Sequence, residues 1–454
     1  MFLQLAAPAA ILRRMLLIYN MLFWLAFPFV ILFYGAKLLR RGKYRKGFAQ
    51  RFGFLPPEIL DRRSGSPRIW VHAVSVGEVT AAAPIIASLR VRLPNAAIFL
   101  STTTDTGQEM ALRLVTGANA FFYYPLDISF VVRRVIEQVR PDIFVPVETE
   151  LWPNLIRRCR KQGLKILMVN GRLSPRSFRN YARTRFFWKS ILPALDGIGV
   201  ITAADAERFR FLGMPPERLQ VIGNAKYDSL AAMTSVALQE EISLRLNIAP
   251  GDHVLVAGST HEGEEKIVFD VYSRLLEIYP DYKLIIVPRH TERAQAVLSL
   301  AKEAGFPDAI MITELMQGRK RLEERIVIVD VIGELFKVYS LATVVFCGGS
   351  LVPRGGQNIL EAAAWGKVIF YGPFMDDFRE EKVLLEAVGA GIAVRDGIDL
   401  AEGILKLLAD PASLTSRGEA GRRAVAGNAG AAAHYGEMIC EQLGKATSSY
   451  GQAR

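Results

Sequence analysis

Two Rossmann-like α/β domains behind an N-terminal membrane helix are predicted by three observations on this 454-residue chain. Short, almost continuously apolar segments alternate with helix-forming stretches, as in parallel sheets covered on both faces. The alternation pauses near the middle of the chain and then restarts, which makes two sheets of one. A single uncharged run of twenty-one residues, Met15 to Gly35, stands ahead of both.

The elements follow in order. Met15–Gly35 (MLLIYNMLFWLAFPFVILFYG) approaches the ~20 residues that cross a hydrocarbon core. Arg13 and Arg14 precede it, and six Lys or Arg lie between Lys37 and Lys46. The heavier basic flank predicts a cytoplasmic location for everything after residue 36. No small-residue cleavage site follows the run, against a signal peptide. Asn20 and Pro28 interrupt it, so a monotopic helix lying in the interface is the alternative to a spanning one. The anchor is therefore placed at 1–36. A first α/β domain is placed at 37–225, with strands beginning at Arg68, Ile98, Phe121, Asp142, Lys165, Ile198 and Leu219. A linker is placed at 226–251. A second domain is placed at 252–454, with strands beginning at His253, Lys283, Arg325, Thr343, Val368 and Gly391. Ligands of such sheets lie outside the carboxyl ends of the strands, in a crevice.

Composition narrows the function. Hydrophobic residues make up 51% of the chain and mean hydropathy is +0.20, ample for buried cores and a membrane segment. Of the net charge of +11, residues 1–63 carry +9 (eleven Lys/Arg against two acids), a distribution suited to anionic lipid rather than nucleic acid. The three cysteines are far apart and without His at ligand spacing, against structural zinc and disulfides. Walker A, HExxH, GxSxG and Asp-x-Asp patterns are absent.

Candidate chemistry sits at strand ends. HAVSVGEV (His72–Val79) puts Glu78 at a strand-to-helix junction, where partial burial would make a general base; helix capping is the structural alternative. His72 is expected to pack against the sheet. VETELWPNL (Val147–Leu155) ends another strand with Glu148 and Glu150, costly together without a cation or hydrogen bonds. Lys226 in GNAKYD could neutralise charge developing across the crevice. Residues 151–189 hold eleven Lys/Arg and no acid, with Arg172, Arg176, Arg179, Arg183 and Arg185 interleaved with aromatics, a face for a phosphorylated lipid, with single-stranded nucleic acid and a merely solvated cationic face as the alternatives. In the second half, AGSTHEGEE reads as a Ser259/Glu262 capping box, and Arg289 of PRHTER is placed to meet a phosphate. Ile332, Gly333 and Glu334 open a helix with free N–H groups. TVVFCGGSLVPRGGQNILEAAAWG (Thr343–Gly366) is a strand, glycine loop and helix start that directs N–H groups at an anion, with Glu361 one turn in for ribose hydroxyls. A capping box of Asn358 and Glu361 is its structural alternative.

HAVSVGEV, STTTDTGQE, VETELWPNLI, NGRLSPRS, GNAKYD, STHEGEE, PRHTER and GGSLVPRGGQNILEAAAWGK, in this order and spacing, resemble the 3-deoxy-D-manno-octulosonic acid (Kdo) transferases of lipopolysaccharide assembly. The resemblance runs from the anchor past residue 380. It implies a GT-B fold and an inverting, metal-independent transfer of Kdo from CMP-Kdo to the lipid A precursor (lipid IVA) at the inner membrane, with no cofactor and no nucleic-acid partner. By position it implies Glu78 as proton acceptor and Glu148 and Lys226 as transition-state stabilisers. It assigns Pro288, Arg289, Ile332, Gly333, Glu334, Asn358, Ile359, Leu360 and Glu361 to the CMP portion. Gln357 departs from the pattern, standing where His is expected in many relatives. The rivals are a membrane-associated GT-B enzyme that uses a UDP-sugar, and a non-catalytic, membrane-tethered nucleotide-binding module.

Overall fold

The computed structural model describes residues 17–21, 25, 47–322 and 324–451. Most of the expected anchor at 1–36 lies outside them. Among the described residues no helix is long and apolar enough to cross a membrane.

The chain forms two compact units, residues 1–229 with 429–454, and residues 230–428. The first contains β1 (Arg68–His72), β2 (Ala97–Thr102), β3 (Ala120–Tyr123), β4 (Ile143–Pro146), β5 (Lys165–Gly171), β6 (Gly197–Val200) and β7 (Leu219–Val221), in the order β3-β2-β1-β4-β5-β6-β7. Every pairing is parallel. Both faces are covered, and this is why the strands read as apolar throughout: Trp70, Phe99 and Phe144 enter one core while Ile69, Val71, Ile98 and Val145 enter the other. The helix Val76–Arg92 follows β1 and buries Ala81, Ala82, Ile85, Ile86 and Leu89, one face at helical spacing.

The second unit contains β8 (Val254–Thr260), β9 (Lys283–Pro288), β10 (Ile310–Met311), β11 (Ile326–Ile328), β12 (Val344–Cys347), β13 (Val368–Tyr371) and β14 (Gly391–Ala393). Their order is β10-β11-β9-β8-β12-β13-β14, again parallel. All thirteen expected strands are present, and β10, two residues long, is the addition.

Two boundaries differ from the expectation. The stretch 226–251 is mostly helical, with helices Lys226–Met233 and Val236–Leu246. The second of these buries Ile242 and Leu246, four residues apart, and belongs to the second unit. Residues 429–454 belong to the first unit. The helix Ala431–Gly451 packs there because the Asp228 carboxylate accepts from the Gly430 (2.7 Å) and Ala432 (3.3 Å) amides, and Tyr435 Oη donates to Gly223 O at 2.8 Å.

In each sheet the chain reverses its direction of growth between two neighbouring strands, β1 and β4 in the first unit, β8 and β12 in the second. Loops leaving such a pair diverge to opposite faces and open the sheet's carboxyl edge to a ligand.

Candidate active site

Glu78 and Glu148 leave the two strands at the first unit's switch point, β1 and β4. Glu78 lies in the first turn of the helix Val76–Arg92 and folds back on the loop before it. Its Oε2 accepts from Val74 N at 2.5 Å and its Oε1 from Ser75 Oγ at 3.2 Å. The capping role is thus real, yet the side chain is also 91% removed from solvent. Burial first, then the neighbouring Glu150 charge, push its carboxyl up to about 8 against the pull of the Val74 amide. A carboxyl group that titrates near neutrality, at the end of a central strand, is fitted to proton transfer.

Glu148, two residues beyond β4, has φ +61°, a left-handed backbone uncommon for a residue with a Cβ. Its Oε1 accepts from Lys226 Nζ at 2.8 Å. A Cβ placed on Gly77 would lie 3.6 Å from that same Nζ and touch nothing else, so the ammonium stands over the first turn of the Glu78 helix. The structure therefore brings Glu78, Glu148 and Lys226 together. It adds Glu150, whose Oε2 accepts from Trp152 Nε1 at 2.9 Å and whose carboxyl burial pushes up to about 7. The lysine pairs with Glu148, and the charges of Glu150 and Glu148 bear on the Glu78 carboxyl, an arrangement that keeps a proton in the cluster. His72 is structural as expected: fully buried, stacked on Tyr124 at 3.8 Å, its Nδ1 3.0 Å from Ser101 O, with its pKa pushed down by burial to about 3.

In the second unit, the glycine loop after β12 is used differently from the expectation. The Glu264 carboxylate, fully buried, accepts from the Gly349 (2.7 Å), Ser350 (3.0 Å) and Leu351 (3.0 Å) amides and from His261 N at 2.9 Å. The anion in the first half of this nest is the protein's own. Gly348 has no room for a side chain there, because a Cβ would overlap the Ser259 carbonyl at the end of β8. The Ser259/Glu262 capping box is absent for the same local reason. Ser259 has φ +56°, and Glu264 takes the bonds, while Glu262 is exposed and pairs with Arg293 at 3.3 Å.

Beyond the nest, Asn358 Oδ1 accepts from Leu360 N at 3.2 Å and Asn358 Nδ2 donates to Glu361 Oε1 at 3.1 Å. This holds the two side chains together at the start of the helix Leu360–Ala364 in place of a reciprocal backbone box. Burial pushes the Glu361 carboxyl up to about 7, opposed by Asn358 and by the charge of Arg289. Arg289 is exposed, and its backbone is fixed at the end of β9 by Arg289 N donating to Thr260 O at 2.9 Å. Pro288, Ile359 and Leu360 are buried. Ile332 is 85% exposed and Gly333 has φ +96°. The Glu334 carboxylate is engaged by Arg245 (3.4 Å) and Lys337 (3.3 Å), so its side chain holds the helix Val236–Leu246 rather than standing free. Since β9 and β8 lie between β11 and β12, a ligand touching both Ile332–Glu334 and Asn358–Glu361 stretches over about 14 Å of the sheet's edge. Arg289 stands between them. Among the described residues no group of three or more His, Cys, Asp or Glu could hold a metal ion.

The basic stretch forms helices Pro175–Arg183 and Arg185–Ile191. Phe178, Tyr181, Phe187 and Trp188 pack partly into the first unit's core, and Phe186 is left 66% exposed among the arginines.

Residues 46–229 match the family described as 3-deoxy-D-manno-octulosonic-acid transferase (kdotransferase). The 3-deoxy-D-manno-octulosonic acid transferase of Haemophilus influenzae is 32% identical over 416 residues, 91% of this chain and 95% of the relative. The chain belongs to the Kdo transferase family. It is therefore a glycosyltransferase. Among solved structures, the UDP-GlcNAc 2-epimerase of Neisseria meningitidis bound to UDP-GlcNAc matches 83% of this Kdo transferase and 100% of its own chain, with a TM-score of 0.57 and 14% identity. Anabaena Alr3699/HepE in complex with UDP matches 83% and 99%, with a TM-score of 0.55 and 15% identity. At that identity the likeness concerns the fold, two parallel-sheet α/β domains of the GT-B kind.

Proposed function

We propose that this Kdo transferase moves Kdo from CMP-Kdo to a lipid A precursor, lipid IVA, at the cytoplasmic face of the inner membrane, with inversion and without a metal. The observation that carries the mechanism is the Glu78 carboxyl, buried and shifted toward neutrality beside the Glu148–Lys226 pair. Glu78 takes the proton of the acceptor hydroxyl. The hydroxyl oxygen then bonds to the anomeric carbon of Kdo from the face opposite CMP. The bond from that carbon to the phosphate oxygen breaks, and its electron pair leaves with CMP. Lys226, oriented by Glu148, stabilises charge at the reacting centre. Arg289 meets the phosphate, Glu361 and Asn358 the ribose, and the backbone of Ile332–Glu334 the remainder of the nucleotide. The arginine-rich helices of the first unit suit the phosphates of a lipid acceptor. The uncharged run at 15–35 and its basic flanks support attachment to an anionic leaflet.

Calorimetric titration tests the donor assignment. CMP is expected to bind the purified chain, and Arg289→Ala to weaken it roughly tenfold, as loss of one charge-assisted contact does. UDP binding in preference to CMP would favour the UDP-sugar reading.

A further inference from the structure

The uncharged run has a polar edge, and that edge is docked. Residues 17–21 are helical. Tyr19 Oη donates to Asp127 Oδ2 at 3.1 Å. The amides of Asn20 and Asn154 bond reciprocally: Asn154 Nδ2 donates to Asn20 Oδ1 at 2.9 Å and Asn20 Nδ2 to Asn154 Oδ1 at 3.3 Å. Both partners are buried. Asp127 also accepts from the Asn154 (3.0 Å) and Leu155 (2.9 Å) amides, and Asn154 Nδ2 donates to Asp127 O at 2.6 Å. These are the groups that hold the first turn of the helix Pro153–Lys161, which follows directly on the Glu148–Trp152 loop.

The apolar residues of the same turn point the other way. At 100° per residue Leu17, Ile18 and Met21 fall within one 100° arc, with Tyr19 and Asn20 outside it. Leu17 and Ile18 are each 57% exposed and Met21 71%, and Leu25, also helical, is 70% exposed. If Tyr19 and Asn20 are held on the protein, residues 21–35 are what remains of the run. At the helical rise fifteen residues would reach about 22 Å, short of a hydrocarbon core of about 30 Å.

We infer that Tyr19 and Asn20 clamp the N-terminal helix to Asp127 and Asn154, so that it lies along an anionic phospholipid surface as a monotopic element, its Leu17–Ile18–Met21–Leu25 face in the lipid, and positions the Glu148–Trp152 loop relative to that surface. The occupant of the apolar face is the boundary between headgroups and acyl chains. The absence of charge from Met15 to Gly35 and the arginines and lysines flanking it are matched to that boundary. An amide pair inside the hydrocarbon would lose the partners it has here. The positioning role rests on the transfer reaction proposed above; the clamp and the topology do not.

Three measurements test it. In a Cys440→Ser background, where the remaining Cys159 and Cys347 are buried, Ala10→Cys in sealed inside-out vesicles should react with a membrane-impermeant maleimide. Reaction only after detergent permeabilisation would place residue 10 across the bilayer and overturn the monotopic reading. In thermal unfolding of the full chain in detergent, Asn20→Ala and Asn154→Ala should be non-additive, the double variant losing no more than the worse single one. Additive losses would overturn the clamp, and Tyr19→Phe with Asn20→Ala gives the same readout if Asn154→Ala does not fold. With bilayer-embedded lipid IVA, Asn20→Ala should raise the acceptor KM about tenfold at unchanged CMP-Kdo KM, the scale on which displaced positioning acts. An unchanged acceptor KM would reject positioning, and a wild-type chain inactive on CMP-Kdo would reject the proposed function while leaving the first two results to stand.

Discussion

Glu78→Gln is expected to lower Kdo transfer by a factor of about 10²–10⁴, the range contributed by a general base, while leaving CMP affinity unchanged. Glutamine is close in shape and can still accept from Val74 N and meet Ser75 Oγ, so the first turn of the helix Val76–Arg92 should survive. What is lost is the ability to take a proton. The pH dependence separates this from a packing effect. With the carboxyl pushed up to about 8, wild-type kcat/KM should climb about tenfold per pH unit below that value and level off above it, whereas the residual activity of the variant should be flat. Stability moves oppositely. Between the unfolded value of 4.5 and about 8 the folded chain keeps a proton that the unfolded chain has released, so stability falls as pH rises through that window. The variant lacks this loss and should unfold at higher denaturant than the wild type at pH 8, with the gap closing toward pH 4.5. A variant that kept full turnover would exclude Glu78 as the base.

The largest structural effect is expected at Glu264. Truncation in Glu264→Ala takes one acceptor from four backbone amides, those of His261, Gly349, Ser350 and Leu351. Each unpaired buried donor costs about 1–3 kcal/mol, and water entering the vacated space recovers part of it, for a net loss of about 3–5 kcal/mol. CMP affinity should fall with it, because the same loop leads to Asn358 and Glu361. Glu264→Gln, which can still accept at one oxygen, should lose less. Equilibrium denaturation and CMP titration on the three proteins check the order. A Glu264→Ala protein with the wild-type midpoint would show that the loop holds its shape without the internal carboxylate.

Much of this was legible in the residues. The thirteen expected strands were visible because both faces of each sheet are buried, so apolar side chains run without interruption. β10, two residues long, is below the length at which a pattern exists. The helix Val236–Leu246 shows little apolar periodicity because only Ile242 and Leu246 of it are buried, which is why its sequence resembles a linker. The return of residues 429–454 to the first unit depends on which sheet a helix covers, a property of tertiary packing that local periodicity does not carry. At the site, Glu78 and Glu148 were readable as strand-end acids, and the strand order supplied what the sequence lacked, that β1 and β4 are neighbours. Glu264 carries no such signal because three of its four amide partners lie 85 to 87 residues away, and only folding shows that the glycine loop's amides are already filled. The resemblance implies a nucleotide contact for Glu334, whereas its carboxylate is engaged by Arg245 and Lys337, partners that the sequence does not mark.

The most direct measurement is mass spectrometry of lipid IVA after incubation with CMP-Kdo and the purified 454-residue chain. Acceptor carrying added Kdo, with CMP released in equal amount, is the expected result. Lipid IVA left unmodified by an active, CMP-binding preparation would contradict it.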